Sequence, residues 1–114
     1  MKKDRVAEAF RAWLVSEAWT VIDRTDGGIE AVRGPERLIC GITGTTTEAG
    51  ADCDTMYGQL VRRMDDPAPG VRCAVTVSTS ALTAALRVPE GVRDLLRVTV
   101  YEVTEVGAVV RHYR

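Results

Sequence analysis

GGIEAVRGPERLICGITGTT, residues 27–46, contains two strand-like runs joined by a short turn. The runs Ile29–Arg33 and Leu38–Thr43 are rich in the apolar and β-branched residues that favour strands. Between them, Gly34-Pro35-Glu36 is a strong turn signal. The second run is almost wholly apolar at its start, which is typical of a strand in the middle of a sheet. This stretch therefore predicts a hairpin that leads into a central strand.

A helix and one more strand are predicted before the hairpin. Asp4 can cap a helix that runs to about Ala18, and Trp19–Arg24 is predicted as a strand. Asp26-Gly27-Gly28 then forms a turn, because glycine adopts positive φ without a Cβ clash. Apolar residues at helical spacing predict the buried face of the helix: Val6, Phe10, Trp13 and Leu14.

A second helix and a fourth strand are predicted after the hairpin. The polar stretch Gly44–Ala51 is predicted as a loop, and the helix runs from about Asp54 to Met64. A strong break, Asp65–Gly70, separates the helix from the strand Val71–Ser78, whose two alternating sets of residues face opposite ways. The buried face of the helix is predicted to consist of Met56, Tyr57, Leu60, Val61 and Met64.

Smaller elements complete the predicted structure. A short helix capped by Ser80 runs to Arg87, and Pro89 can open a further helical turn that runs to Arg97. The strands that follow are Val98–Val103 and Val109–Tyr113. Because 114 residues is near the common size of one folded domain, a single domain over the whole chain is predicted.

The predicted order is helix, three strands, helix, strand. This order, with GGIEAVRGPERLICGITGTT and with DTMYGQLVRRM at residues 54–64, resembles the restriction-endonuclease-like (PD-(D/E)-x-K nuclease) superfamily over roughly residues 4–78. The resemblance implies an α/β protein in the α+β sense. It implies an αβββαβ core, in which a central mixed sheet is flanked by helices.

The same resemblance assigns candidate site residues. Family members bind Mg²⁺ through hard oxygen ligands, with one acid on the second strand and another on the third. A lysine two residues after the second acid lies on the same strand face. By this resemblance Glu30 stands for the first acid, and Gln59 stands for a glutamine of the following helix. Gly41 and Thr43 stand where the second acid and the lysine belong, and no lysine follows Lys3. The sequence therefore predicts a degenerate site with no metal, in which Glu30 is the single candidate ligand.

A rearranged active site is the alternative interpretation. Glu8 or Glu17 on the first helix could supply an acid, and Arg62 or Arg63 could replace the charge of the lysine. Arginine binds phosphate but cannot act as a base, because it stays protonated in proteins. No cofactor is predicted unless the site is rearranged in this way, in which case the cofactor is Mg²⁺.

The charge balance bears on nucleic-acid binding. The chain has 15 basic and 16 acidic residues and a net charge of −1, so no global field draws it to nucleic acid. Any contact with DNA or RNA needs a local arginine patch. The candidates for such a patch are Arg33, Arg37, Arg62 and Arg63.

The cysteines and the N-terminal residues bear on the compartment. Cys40, Cys53 and Cys73 are odd in number and widely spaced, which predicts buried free thiols in a reducing environment. Residues 1–5 are charged, and no apolar run of signal-peptide type follows them. A cytoplasmic location is therefore predicted, with no membrane partner.

Three functional hypotheses follow. The first is a catalytically inactive nuclease-fold protein that serves as a binding or scaffold module for a protein partner or as a homodimer. In a homodimer, Val98–Val103 and Val109–Tyr113 would offer the pairing edge. The second is a degenerate nuclease that binds nucleic acid, and the third is a metal-dependent nuclease with a rearranged site.

Overall fold

The computed structural model describes residues 1–23, 28–64 and 70–112. The helices and strands over these residues follow in this order: α1 Lys3–Ser16, β1 Thr20–Asp23, β2 Ile29–Arg33, β3 Glu36–Thr43, α2 Ala49–Val61, β4 Val71–Ser78, a 3₁₀ turn Thr79–Ala81, α3 Leu82–Ala85, α4 Glu90–Leu95, β5 Val98–Val103 and β6 Val109–His112.

The strands form one mixed sheet in the order β1-β2-β3-β4-β5-β6. Strands β1, β2 and β3 are antiparallel neighbours, whereas β3, β4 and β5 run parallel. Parallel neighbours need a crossover connection, and α2 provides it between β3 and β4. Strand β6 returns antiparallel to β5. The predicted αβββαβ core and the mixed sheet are confirmed.

Helices cover both faces of the sheet. On one face, Val6, Phe10 and Leu14 of α1 are fully buried against Ile29, Ala31, Cys40 and Ile42, among others. On the other face, Cys53, Met56, Tyr57 and Leu60 of α2 pack against Ile39, Val75 and Val77. Because successive side chains of a strand point to opposite faces, each central strand contributes to both cores. The alternation predicted for β4 is confirmed, and both of its faces are buried from Cys73 to Ser78.

The start of α1 differs from the prediction. Lys2 occupies the N-cap position, and no side-chain cap is formed there. Asp4 lies inside the first turn, where its negative charge interacts favourably with the positive end of the helix dipole.

The helix ends at Ser16, and Ala18 adopts a φ of 67° as the chain turns into β1. Trp13 is half-buried and stacks on Phe10 with ring centroids 5.5 Å apart.

The bounds predicted for α2 are wrong at both ends, because the helix runs from Ala49 to Val61 and not from Asp54 to Met64. The helix begins at Ala49, within the predicted loop. Cys53 is buried in the same core as Met56, and its packing there stabilises an additional helical turn before Met56. At its other end, Val61 is about half exposed, so it does not belong to the buried face. Ser80 likewise lies within the 3₁₀ turn and does not cap the helix that follows.

Strand β5 is not a sheet edge. It pairs with β4 on one side and with β6 on the other, so the prediction that it offers a pairing edge is wrong. Among the described strands, β1 and β6 form the two edges. The predictions for Arg24, for the turn at residues 26–27, for the break at residues 65–69 and for Tyr113 lie outside the described residues.

The three cysteines are buried free thiols, as predicted. Burial raises the pKa of each of them, so the thiols stay protonated near neutral pH.

In the described parts of the chain, no helix is both long enough and apolar enough to cross a membrane.

Candidate functional site

The three strand positions of the predicted site lie on one face of the sheet. Their neighbours Ile29, Ala31, Cys40 and Ile42 all pack on the α1 side. Glu30, Gly41 and Thr43 therefore face the α2 side, because side chains alternate along a strand. This common face is what the family resemblance requires of a first acid, a second acid and a lysine.

The carboxylate of Glu30 is paired within the sheet. Its strand register sets it opposite Ile39, and its Oε1 atom accepts a hydrogen bond from Nε of Arg37 on the adjacent strand. Arg37 lies two residues before Ile39 on the same strand face. The candidate first acid is thus held by a guanidinium group.

The position of the second acid is filled by a side chain of α2. A Cβ atom on Gly41 would lie 2.6 Å from Cγ of Met56 and 3.3 Å from its Sδ atom. Real Cβ contacts are essentially never this short, so any side chain at Gly41 would have to displace Met56. The glycine therefore does more than remove a ligand, because the space beside it is occupied by a buried thioether.

The position of the lysine is also closed. Thr43 is buried, and its hydroxyl donates to the Sδ atom of Met56 at 3.3 Å. A thioether is a weak acceptor. One methionine thus contacts both positions where the family carries its catalytic strand residues.

A narrow cavity remains beside Gly41. Its volume is about 30 Å³, and its walls include Gly28, Gly41, Gln59, Arg63 and Lys3. This volume has room for only one or two water molecules. The structure thus brings Gln59 together with Gly41, as the resemblance implied, but Glu30 does not line this cavity.

A wider cavity of about 400 Å³ lies near the carboxyl end of β3. Its polar walls include Thr43, Asp52, Thr55, Gln59 and Lys3. This volume is in the range of small-molecule sites. Asp52 and Lys3 are the two charged residues among its described lining residues.

Lys3 was not predicted to reach this region. It does so because the start of α1 packs against the end of β3, where a Cβ on Gly44 would lie 2.4 Å from the backbone nitrogen of Lys3. The amide of Thr45 also donates to the carbonyl of Met1 at 2.7 Å. Gly44 was the available signal, because a glycine can mark a close approach of two backbones.

These residues do not fit a magnesium ion. Mg²⁺ needs several oxygen ligands in near-octahedral geometry. Gly41 offers no side-chain oxygen, and the carboxylate of Glu30 is engaged by Arg37. Within residues 1–23, 28–64 and 70–112, no cluster of three or more His, Cys, Asp or Glu residues could hold a metal ion.

The acids of α1 do not join the site. Glu8 and Glu17 are exposed and belong to the helix region that covers the opposite face of the sheet. The backbone carbonyl of Glu17 accepts a hydrogen bond from Nη1 of Arg33 at 2.9 Å. The acid that a rearranged site would take from α1 is therefore not near Gly41 or Thr43.

The four candidate arginines lie in different environments. Arg33 stacks 4.3 Å above the ring of Trp19 and bonds Glu36, and Arg37 bonds Glu30. Arg63 lines the narrow cavity. Arg62 is exposed at the end of α2. Two of the four guanidinium groups thus neutralise carboxylates of the same hairpin, so they do not form a purely basic patch.

Two solved structures share this fold. One is an fdxN element excision controlling factor protein from Anabaena variabilis, with a TM-score of 0.67 and 15% identity over 94% of this chain and 96% of that chain. The other is an XisH family protein from Nostoc punctiforme PCC 73102, with a TM-score of 0.66 and 14% identity over 93% of this chain and 96% of that chain. No protein-family model and no curated protein matches the sequence. At such low identities the likeness shows a common fold.

Proposed function

We propose that this protein is a catalytically inactive nuclease-fold protein that acts as a binding module for a protein partner or for another copy of itself. The observation that carries the proposal is the contact between Met56 and Gly41, where a Cβ would lie 2.6 Å from Cγ. The nuclease family that the sequence resembles carries its second metal-binding acid at this position, and here Gly41 offers no carboxylate and the space beside it is filled by Met56.

The surrounding charges support the same conclusion. Glu30 is neutralised by Arg37, and Thr43 directs its hydroxyl to Met56. Oε1 of Glu30 and the hydroxyl hydrogen of Thr43 are thus engaged by other protein groups, which supports a site without catalytic function. A fold that keeps its sheet and helices while its catalytic strand packs as core is suited to binding.

The name of one structural neighbour agrees with such a role. That protein is called an excision controlling factor of the fdxN element. A controlling factor can act by binding, without cutting a strand itself. We extend to this chain only the general idea of control through contact with another macromolecule.

A cleavage assay tests the proposal. The purified protein is incubated with single-stranded DNA, double-stranded DNA and RNA in the presence of Mg²⁺ or Mn²⁺. We expect no cleavage above buffer, because the described residues contain no group of three or more His, Cys, Asp or Glu that could hold the metal. Cleavage that persists across independent preparations and is abolished by Glu30→Ala would overturn the proposal.

A second variant covers a rearranged site. Asp52 is the carboxylate that lines the wider cavity with Lys3 and Gln59. Asp52→Asn is therefore assayed beside Glu30→Ala as the second candidate acid. Cleavage that survives Glu30→Ala but is lost in Asp52→Asn would establish an active nuclease with a migrated acid and would equally contradict inactivity.

Nucleic-acid binding without cleavage is the competing function. Fluorescence anisotropy of labelled single- and double-stranded DNA is measured across a salt series with EDTA present. We expect no steeply salt-dependent binding, because Arg33 and Arg37 are engaged by Glu36 and Glu30. Affinity that falls with salt and drops in the Arg62→Ala/Arg63→Ala variant would favour the nucleic-acid binder.

A further inference from the structure

The wider cavity at the carboxyl end of β3 has a stripe of α2 as one of its walls. Asp52, Thr55, Met56 and Gln59 all line it. Thr55, Met56 and Gln59 follow Asp52 by three, four and seven residues, so the four lie on one face of the helix. Ligands of sheets with parallel strands commonly bind outside the carboxyl ends of those strands, and β3 runs parallel to β4. We name this space the β3–α2 cavity.

The start of α1 supplies another wall. Lys3 lines the cavity, and its backbone packs so closely against Gly44 that no Cβ atom fits between them. The amide of Thr45 donates to the carbonyl of Met1 at 2.7 Å, which ties the end of β3 to the residues just before α1. The fold therefore fixes where the side chain of Lys3 leaves the backbone, beside the cavity.

The two charged groups of the cavity have no protein partner. The ammonium group of Lys3 and the carboxylate of Asp52 make no hydrogen bond and no ion pair with any residue that the structure describes. The same holds, over the same residues, for the hydroxyl of Thr55 and the amide of Gln59. One cavity is thus faced by an ammonium group, a carboxylate, a hydroxyl and an amide whose hydrogen-bonding capacity the protein does not use.

The two charges select against ions of a single sign. Asp52 lies in the first turn of α2, where its negative charge already offsets the positive end of the helix dipole. The same carboxylate repels an anion that approaches Lys3, and the ammonium group of Lys3 repels a cation that approaches Asp52. A molecule that carries both a carboxylate and an ammonium group complements both residues at once.

The size of the cavity and its remaining lining narrow the class of ligand. The volume of about 400 Å³ lies near the lower end of the range of small-molecule sites, so it suits a small metabolite. Free α-amino acids carry a carboxylate and an ammonium group within a small volume. The lining offers a polar side chain the hydroxyl of Thr55 and the amide of Gln59, beside the apolar Ile42 and Met56.

We infer that the β3–α2 cavity binds a small polar α-amino acid, whose carboxylate contacts Lys3 and whose ammonium group contacts Asp52. Thr55 and Gln59 are then the hydrogen-bonding partners of its side chain. This inference goes beyond the proposed function, because it adds a small-molecule ligand to a protein that is proposed to bind a macromolecule. It holds whether or not that partner is present.

Nuclear magnetic resonance titration of the full ¹⁵N-labelled chain tests the inference. L-serine, L-asparagine and L-glutamine are each added to about 20 mM, and amide shifts are followed. We expect at least one of the three to bind with a Kd of about 1 mM, the affinity of a small ligand at an open polar site. The shifts are expected to centre on Gly44, Thr46 and Asp52, which lie around the cavity.

Charge-deleted analogues test the two contacts from the side of the ligand. N-acetyl-L-serine keeps the carboxylate and lacks the positive charge, whereas L-serinamide keeps the ammonium group and lacks the carboxylate. The corresponding analogues of asparagine or glutamine are used if one of these binds more tightly. Each analogue is expected to bind about threefold or more weakly than its parent, because one charged contact is lost.

Neighbouring residues of the same types provide matched control variants. Lys3→Gln and Asp52→Asn are each expected to weaken binding of the amino acid by about threefold or more. Lys2→Gln and Asp54→Asn change exposed residues that do not line the cavity, so they should leave the affinity unchanged. All four residues are exposed, and the amide spectrum of each variant verifies its fold.

Three results would overturn the inference. If none of the three amino acids shifts the amides around the cavity by about 20 mM, no such site exists. Inorganic phosphate that binds there more tightly than any of them would identify an anion site. Equal losses in the lining variants and in their neighbours would show that general charge, and not this cavity, attracts the ligand. The nuclease assay contains no amino acid, so inactivity is judged separately.

Discussion

Met56 of α2 lies so close to Gly41 of β3 that a Cβ atom on the glycine would be 2.6 Å from Cγ of the methionine. The contact links the packing of the second core to the loss of the predicted site. Leu60 lies behind it, 3.5 Å from the same Cβ position. A side chain at position 41 and the observed packing of Met56 therefore exclude each other.

Gly41→Ala is expected to lower the free energy of unfolding by about 1–3 kcal/mol, because the new methyl group overpacks the core. Met56→Ala is expected to lower it by about 2–5 kcal/mol through the cavity that it leaves. In the double variant the alanine methyl enters part of that cavity, so the combined loss is smaller than the sum by about 1 kcal/mol. Urea denaturation of the four proteins measures this coupling, and strictly additive losses would refute the contact.

Gly44→Ala is expected to cost about 3 kcal/mol, because its Cβ would lie 2.4 Å from a backbone nitrogen that cannot move aside like a side chain. Gly58→Ala is the matched control. Gly58 lies in α2 with nothing within 4 Å of its Cβ position, so alanine should stabilise the protein by about 0.5–1 kcal/mol. Thermal or urea denaturation compares the two. Equal effects would mean that α1 does not pack against the end of β3.

Glu102 makes the free energy of unfolding depend on pH at acidic pH. The Glu102 carboxylate accepts hydrogen bonds from the hydroxyl of Thr79 and from Nε2 of His112, and these bonds lower its pKa below the ordinary value of 4.5. A lowered pKa means that the ionised form stabilises the fold above the unfolded pKa. This contribution is lost as the pH falls from about 4.5 through the lower pKa of the folded state.

Urea denaturation between pH 6 and pH 3 tests this dependence. The wild type should lose stability more steeply below pH 4.5 than Glu102→Gln, and the two should converge at the acid end. Glu105→Gln changes a mostly exposed carboxylate on the neighbouring turn and should follow the wild type. Parallel curves for the wild type and Glu102→Gln would show that Glu102 is not stabilised in the folded state.

Much of the sheet could be predicted from local residues. The bounds of β2, β4 and β5 agree with the prediction, because runs of β-branched residues there end at clear turn residues such as Gly34. The start of α2 could not be predicted in this way. Gly50 and the threonines before it favour a loop, and the contact of Cys53 with the core overrides that preference.

The candidate site could be predicted only in part from the sequence. The family resemblance assigns Glu30 to one strand and Gly41 and Thr43 to the next, and in the structure all three lie on the same face of the sheet. What fills that face depends on contacts between distant elements. Helical spacing marks Met56 as buried, but it does not say which strand residue it meets. The approach of Lys3 to Gln59 likewise depends on how α1 packs across the sheet.

Manganese binding is the measurement to make first on the site itself. Mn²⁺ is titrated into the wild type and into Glu30→Ala, and bound ion is followed by electron paramagnetic resonance. We expect the two proteins to be indistinguishable, because Glu30 is paired with Arg37 and Met56 occupies the place of the second acid. One ion held by the wild type and lost in Glu30→Ala would contradict this account, because Glu30 would then be a metal ligand.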